Sequence, residues 1–600
     1  PSVVYEKKED SVQQNHFNCP VVASYPEVIR VNMDPIFKEN GVTYLNPFLT
    51  MDNVTGLAKE LFACFADIPN QEIKQALMKA NTEAAKYKEW LANRGEEILS
   101  WLETHNKKAI VIAGHPYHID PIVNHGLPEE IIRLGLAVLT EDSIAHLSKG
   151  QKHDVVNQWT YHSRLYRAAD VVKVNQNLEL LQITSFGCGL DAITTDAVKE
   201  ILEEKGQLYT WIKMDEISNL GAARIRLRSL KAAMEEREGE VWDTEKTVKK
   251  SVPIFTKQSK KEYTILAPQM SPTHFVLLEK AFLLDGYKLK VLKDVKNEEV
   301  EVGLRYVNND ACYPSIITIG QLVANLQSGE YDLNRTAVVI TQTGGGCRAT
   351  NYYALLKKAL RTAGMSQVPV LSLNAAGLSE NTQPGFKLSI SLLKNLVVAS
   401  CLGDLLERLK LAVRPYEKVK GSTEALFEKW LERCGALLEN FSMRKYKRII
   451  HEIIADFKEI ETIQEIKPKV GIVGEILVKF HPYANNEIIR TIEAEGGEAV
   501  VPDLVDFFLY CLYNQEYKSA HLGQPKYKSQ LGKIGIRLLE VFRSPVREAL
   551  LESNRFEAPL TIQEVAEKAA RFINIGNQMG EGWLLTGEIS ELMDSGVDNV

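Results

Sequence analysis

No Cys-x-x-Cys pair occurs anywhere in the sequence. Ferredoxin and zinc-ribbon spacings are therefore excluded, and any cluster on these thiols must collect its ligands from distant loops. There is no Gly-x-Ser-x-Gly elbow, no His-Glu-x-x-His and no Gly-Lys-Ser/Thr P-loop. Hydrolase, metalloprotease and P-loop chemistry find no support. No apolar run reaches the roughly 18–20 residues that span a bilayer. The best short run, 392–402, fits a core helix. The net charge is only −7, and no basic arm or long block of like charge appears. Neither a membrane nor a nucleic-acid partner is expected. Residues 1–10 are polar and lack a signal-peptide pattern. The eight cysteines are too few and too scattered for a disulfide scaffold. A reducing, cytoplasmic setting is expected.

What is present is an ordinary globular composition, 45% hydrophobic and 25% charged. At roughly 100–200 residues per domain, a chain of 600 residues implies roughly three to five domains. The chain opens on Pro-Ser-Val-Val-Tyr and closes on Ser-Gly-Val-Asp-Asn-Val. The expectation is a stretch of a longer polypeptide.

Residues 1–50 read as extended pieces broken by Pro20, Pro26, Pro35 and Pro47, and 52–104 as helical. The rhythm then becomes α/β. Ala109–Ala113 is continuously apolar, as a strand buried in a parallel sheet is. Further strands are expected at 136–139, 180–184 and 208–212, with helices at 191–205 and 219–236. After a polar linker, strands are expected at 263–267, 287–291, 336–341 and 368–373. Residues 383–463 read as mainly helical, and a strand returns at 469–473. The expected divisions are 1–106, an α/β unit 107–236, a linker 237–261, an α/β unit 262–382, a helical segment 383–465 and an α/β unit 466–600. Alternating strands and helices imply right-handed crossovers and parallel sheets, with ligands beyond the carboxyl ends of the strands.

One internal repeat stands out. His115-Pro116-Tyr117, Asn124 and Glu130-Ile131-Ile132-Arg133 recur as His481-Pro482-Tyr483, Asn485 and Glu487-Ile488-Ile489-Arg490. Each copy is flanked by expected strands. This reads as two related α/β units, the second opening near 262.

The cysteines fall into two classes. Cys64, Cys401, Cys434 and Cys511 lie in apolar helical stretches and read as small hydrophobes. Cys19, Cys188, Cys312 and Cys347 lie among glycine and proline. Glycine lets backbone N–H groups approach a bulky partner, and a thiolate is the usual iron–sulfur ligand. The alternative for each is a plain strand-to-helix turn that happens to contain cysteine. Gly344–Thr350 also admits a nucleotide reading, because it follows a strand and opens a helix. His115, His118, Asp120 and His125 share one loop, where a polar network that shapes the loop is weighed against a metal site. A ligand-facing role for His115 and Tyr117, with His481 in the second copy, is the next reading.

Asn18-Cys19-Pro20, the His115–Pro121 loop, Ser185-Phe186-Gly187-Cys188-Gly189, Asn309-Asp310-Ala311-Cys312-Tyr313-Pro314 and Gly345-Gly346-Cys347-Arg348-Ala349-Thr350 carry a resemblance. Together they resemble the large activase-related proteins of the 2-hydroxyacyl-CoA dehydratase superfamily, which includes double-cubane cluster proteins. The resemblance spans almost the whole chain. It implies repeated flavodoxin-like or Rossmann-like units with parallel sheets plus helical segments. It further implies an iron–sulfur cluster, 4Fe-4S or double-cubane, on Cys188, Cys312 and Cys347, with Cys19 next. Low-potential electrons would come from an ATP-hydrolysing activase, in the same longer chain or separate. ATP would act only through that activase. The substrate would be small, an acyl-CoA among the candidates. Further ligand motifs are expected before Pro1 and after Val600. Two other readings stay open: a non-catalytic scaffold that docks an activase, and an iron-free protein that binds CoA or a nucleotide.

Overall fold

The structure is a computed structural model that describes residues 2–4, 14–185, 187–215, 220–237, 253–293, 295–374 and 383–600. Phe186, Asn219 and most of the expected 237–261 linker lie outside the described residues. The chain forms two compact units. The first comprises Pro1–Ser251, Val307–Cys312 and Arg348–Leu355, and the second Val252–Tyr306, Tyr313–Cys347 and Leu356–Val600.

In the first unit, strand β1 (Ser2–Val4) pairs in parallel with β2 (Leu49–Thr50). Between them lies a helix, Pro20–Glu39, where the sequence suggested extended pieces. The prolines misled that reading. Pro20 occupies the first turn, where no N–H partner is needed. Pro26 and Pro35 each delete one helical hydrogen bond but do not end the helix. The buried Glu27 ties this helix down by accepting from Arg30 on its own helix and from Asn46 at 3.0 Å. The expected helix over 52–104 is two, Val54–Cys64 and Asn70–His105, with Pro69 capping the second.

Four strands follow: β3 (Ala109–Ala113), β4 (Ala137–Thr140), β5 (Leu178–Thr184) and β6 (Tyr209–Lys213). Their order is β4-β3-β5-β6, and every pairing is parallel. The central pair, β3 and β5, is wholly buried. Side-chain alternation splits the core into two layers. Ala109, Val111, Leu178 and Leu180 pack with Leu165, Ala169 and Ile201 on one face. Ile110, Ile112, Leu181 and Ile183 pack with Leu127, Ile131 and Leu227 on the other. Each such large side chain contributes ~1.5–3 kcal/mol on burial. The connections from β3 and β5 lead to opposite sides, so the strand order reverses between them. Ligands bind at such a switch point in open parallel sheets.

The second unit holds β7 (Thr264–Ala267), β8 (Lys288–Val291), β9 (Thr336–Gln342) and β10 (Val370–Asn374). Their order, β10-β9-β7-β8, repeats the topology of the first sheet, again all parallel. Helices Ile390–Val413, Ser422–Glu439 and Met443–Glu459 pack beside it around the buried Trp430, Tyr446 and Phe457. A parallel pair follows, β11 (Lys469–Gly471) and β12 (Glu498–Val500). The His481 copy of the repeat belongs to this pair, not to the sheet that opens at β7. Its local setting also differs. His115 follows a strand directly, whereas His481 follows the helix Ile476–Phe480. Both copies keep one contact: Asn124 donates to the His118 carbonyl, and Asn485 to that of Lys479. Among the described residues no helix is long and apolar enough to cross a membrane.

Candidate functional site

Several of the sequence-predicted residues meet at the carboxyl ends of β3 and β5, within the first unit. Gly114 ends β3 at a place where a Cβ would lie 2.5 Å from His118 Nδ1 and 3.0 Å from the Ile183 carbonyl. Only glycine lets the chain turn here. Pro116–Ile119 then forms a single tight turn that returns His118 beneath His115. The His115 N–H donates to His118 Nδ1 at 2.9 Å, so the other nitrogen, Nε2, carries the proton. That N–H donates to Ser185 Oγ at 2.8 Å, just past β5. Burial pushes the His118 pKa down to about 4, in keeping with a neutral ring that both accepts and donates.

His115 is anchored differently. Its Nε2 lies 3.0 Å from Oδ1 of Asp191, the first residue of the helix Asp191–Glu203. Both are buried. Burial alone would discharge the imidazole, but hydrogen bonds to Asp191 and to the Cys188 sulfur outweigh it and raise its pKa to about 10. Burial works against the Asp191 charge too, yet His115 and His162 hold its carboxyl below the usual range. Its place in the first turn of a helix favours the same anion. His162, from the helix Thr160–Val172, completes the group with Nε2 3.8 Å from Asp191 Oδ1. Tyr117 stacks on His115 with centroids 5.2 Å apart. Asp120 caps the next helix through Ile122, and His125 contacts the Asp215 carbonyl at 3.1 Å. Those two therefore stand apart from the buried group.

Cys188 follows β5 between Gly187 and Gly189. A Cβ on Gly189 would overlap the Arg348 guanidinium, which packs against it. Cys188 shares one apolar cluster with Cys19, Trp159, Leu190 and Ile193. Cys19 is the residue before the helix Pro20–Glu39. Burial raises its pKa, and the N–H groups of Val22 and Val21 partly offset that. Cys312 belongs to the same unit through 307–312, with its Sγ 2.8 Å from the Tyr352 hydroxyl. That short stretch is pinned where Asn308 donates to Thr195 and Asp196 at 3.4 Å. A cavity of about 350 Å³ opens beside it, lined by Asp191, Lys199, Tyr209, Trp211, Arg226 and Asn308 among others. No disulfide joins any of the eight cysteines.

Cys347 lies in the second unit, past β9 and three glycines, where a Cβ on Gly346 would meet Met579 Sδ at 3.2 Å. His481 is in the second unit as well, buried, with its pKa pushed down to about 4 by that burial. The histidine that sequence reasoning missed is His162. Nothing around it in Tyr161-His162-Ser163 marks it. Asp191 was legible only as a helix start.

Residues 1–144 match a family model described as CoA enzyme activase uncharacterised domain (DUF2229). This links the first part of the chain to the group of activase- and 2-hydroxyacyl-CoA dehydratase-related proteins. The matched stretch contains Cys19, His115, Tyr117 and His118, and ends before His162, Cys188 and Asp191. No curated protein and no solved structure matches the chain.

Proposed function

We propose that this chain accepts low-potential electrons from an ATP-hydrolysing activase through an iron–sulfur cluster, and passes them to a small substrate of the acyl-CoA class in a reduction or reductive dehydration. Cys188, Cys312 and Cys19 are the proposed thiolate donors of the first unit. Cys347, in the second unit, carries the same expectation on its Gly-Gly-Gly-Cys sequence alone.

The observation that carries this reading is the shared apolar cluster of Cys19 and Cys188 at the switch point of a parallel sheet. Soft sulfur donors in an apolar wall, with glycine on both sides of Cys188, are the donor chemistry that iron and sulfide take. The activase-domain match of residues 1–144 supports the electron source.

A bound cluster of this kind supplies one-electron reduction. The chain's own residues do the rest. Asp191 keeps a proton on His115 beside the Cys188 sulfur. The His118–Ser185 hydrogen bond ties the loop after β3 to that after β5, which fixes the approach to the sulfur. The cavity beside Asp191 takes the small substrate, with Lys199 and Arg226 as cations for its polar end and Trp211 as an apolar wall.

Anaerobic purification of the full chain, followed by iron and acid-labile sulfide assays, tests the proposal. Brown protein with stoichiometric iron and sulfide is expected. Cys188→Ala and Cys312→Ala should lower the iron content, while Cys434→Ala should not. Colourless, folded protein overturns the cluster. Full iron retention in both Cys188→Ala and Cys312→Ala overturns the ligand assignment.

A further inference from the structure

Three side chains from three separate elements converge behind the cysteine loop: His115 after β3, His162 on the helix Thr160–Val172, and Asp191 at the start of the helix Asp191–Glu203. One ligand atom from each lies within 4.8 Å of the others, and all three residues are buried. The closest spacings are 3.0 Å for His115 Nε2 to Asp191 Oδ1 and 3.8 Å for His162 Nε2 to the same oxygen. Donors bound at about 2.0–2.2 Å to one tetrahedral or octahedral ion are about 3.0–3.5 Å apart by simple geometry. The two histidine-to-carboxylate spacings lie within a few tenths of an ångström of that range. With all three atoms inside 4.8 Å, the two imidazoles need to draw together by at most about 1–2 Å.

A second observation is independent of that spacing. Neither ring nitrogen of His162 has a hydrogen-bond partner, nor does Asp191 Oδ2, although all three atoms are buried. His162 is only 1% exposed. A buried imidazole with both nitrogens unmatched is costly, on the order of 1–3 kcal/mol per group. Direct coordination would satisfy one of those nitrogens, and a carboxylate bound through both oxygens would satisfy Asp191 Oδ2 as well.

We propose that His115, His162 and Asp191 bind one divalent transition-metal ion of the zinc or ferrous class. Two imidazoles and a carboxylate suit such ions, whereas calcium and magnesium take oxygen donors. Three protein ligands leave a coordination position open, as in catalytic rather than structural sites. Asp191 also lines the cavity of about 350 Å³, so that position has a ligand chamber at hand. Binding at His115 Nε2 displaces the proton that Asp191 holds there in the metal-free chain. No ligand of the ion is a thiol, so the site can form whether or not a cluster does.

The test uses the full 600-residue chain, stripped with a chelator and titrated anaerobically with Co²⁺. One equivalent should bind with visible d–d absorption and without a sulfur-to-cobalt charge-transfer band. Binding should weaken about a hundredfold or more in Asp191→Asn and His162→Gln, since losing a direct ligand exceeds the roughly 10–100-fold effect of outer-shell partners. Zn²⁺ should raise the Tm of the wild-type chain and not that of either variant, which keeps the test valid if a variant is weakened. Cys188→Ala should retain the ion. Failure to bind Co²⁺ or Zn²⁺, unchanged affinity in both variants, or loss of binding only in the cysteine variant each overturns the site. Iron and sulfide contents are measured separately, so the cluster can fail while this site stands, and the reverse.

Discussion

His115 Nε2 and Asp191 Oδ1 stand 3.0 Å apart although 76 positions of chain separate them. This contact joins the loop after β3 to the helix after β5, and it puts a charged pair in a buried place. Removing one partner of a buried pair leaves the other uncompensated, at about 3–5 kcal/mol. Asp191→Ala is therefore expected to cost about 3–5 kcal/mol in urea unfolding. Asp191→Asn, which can still accept from His115, should cost clearly less. Equal costs would mean that the hydrogen bond Asn can keep contributes nothing and that the lost charge accounts for the whole effect.

Stability near pH 5 should depend on His118. Its folded pKa, about 4, lies below the ordinary 6.5, so between those values the unfolded chain binds the extra proton. Stability present above pH 6.5 is lost as the pH falls toward 4. The shift corresponds to at most about 3 kcal/mol. His481 acts in the same direction. Glu141, Glu179 and Glu588, raised to about 7 mainly by burial, act oppositely: they favour folding below about 4.5 and lose that contribution by pH 7. The informative quantity is thus a difference. Wild type minus His118→Asn, followed by chemical denaturation from pH 7 to 4, should fall as the pH falls. A flat difference would show that His118 is protonated in the folded state.

Two glycines in the second unit allow one close helix pair. A Cβ on Gly303 would lie 2.2 Å from the Ile316 carbonyl oxygen, and one on Gly320 2.2 Å from that of Glu299. The obstacles are backbone, which cannot swing aside. Gly303→Ala and Gly320→Ala should each destabilise by about 1–3 kcal/mol, as overpacking does, despite alanine's better helix propensity. Gly421→Ala has open space but φ +88°, so it should cost only the strain of a left-handed backbone, about 1–2 kcal/mol. Thermal melts of the three variants check this ranking.

Cys434 should resist alkylation. It is fully buried in a helix, and burial pushes its thiol up to about 12. The reactive thiolate is then scarce at neutral pH. Mass spectrometry after iodoacetamide treatment should find Cys434 unmodified in folded protein and modified in denaturant. Rapid labelling of the native chain would contradict the packing described for the helix Ser422–Glu439.

The strands were legible because a sheet covered on both faces needs unbroken apolar runs. Ala109–Ala113 announces itself, and the second sheet's strands fall within two residues of where the sequence puts them. The helix Pro20–Glu39 was not legible, since proline is a breaker only where its missing N–H matters. Local sequence also marked the loops: glycine on either side of Cys188, and a His-Pro-Tyr turn after β3. It could not mark His162, because a histidine within a helix looks the same whether it faces solvent or a carboxylate from another element.

By itself, then, the sequence determined the α/β alternation, the strand ends and the placing of Cys19, Cys188, Cys312 and Cys347 in loops, because periodicity and glycine are local properties. Only the tertiary structure decided the rest. It brought His115, His162 and Asp191 together, set Cys19 beside the Cys188 cluster, and gave the second His-Pro-Tyr copy to β11–β12. Those pairings follow from how parallel strands are ordered and where their crossovers return. Many orders satisfy the same local pattern, and packing of the whole chain selects one.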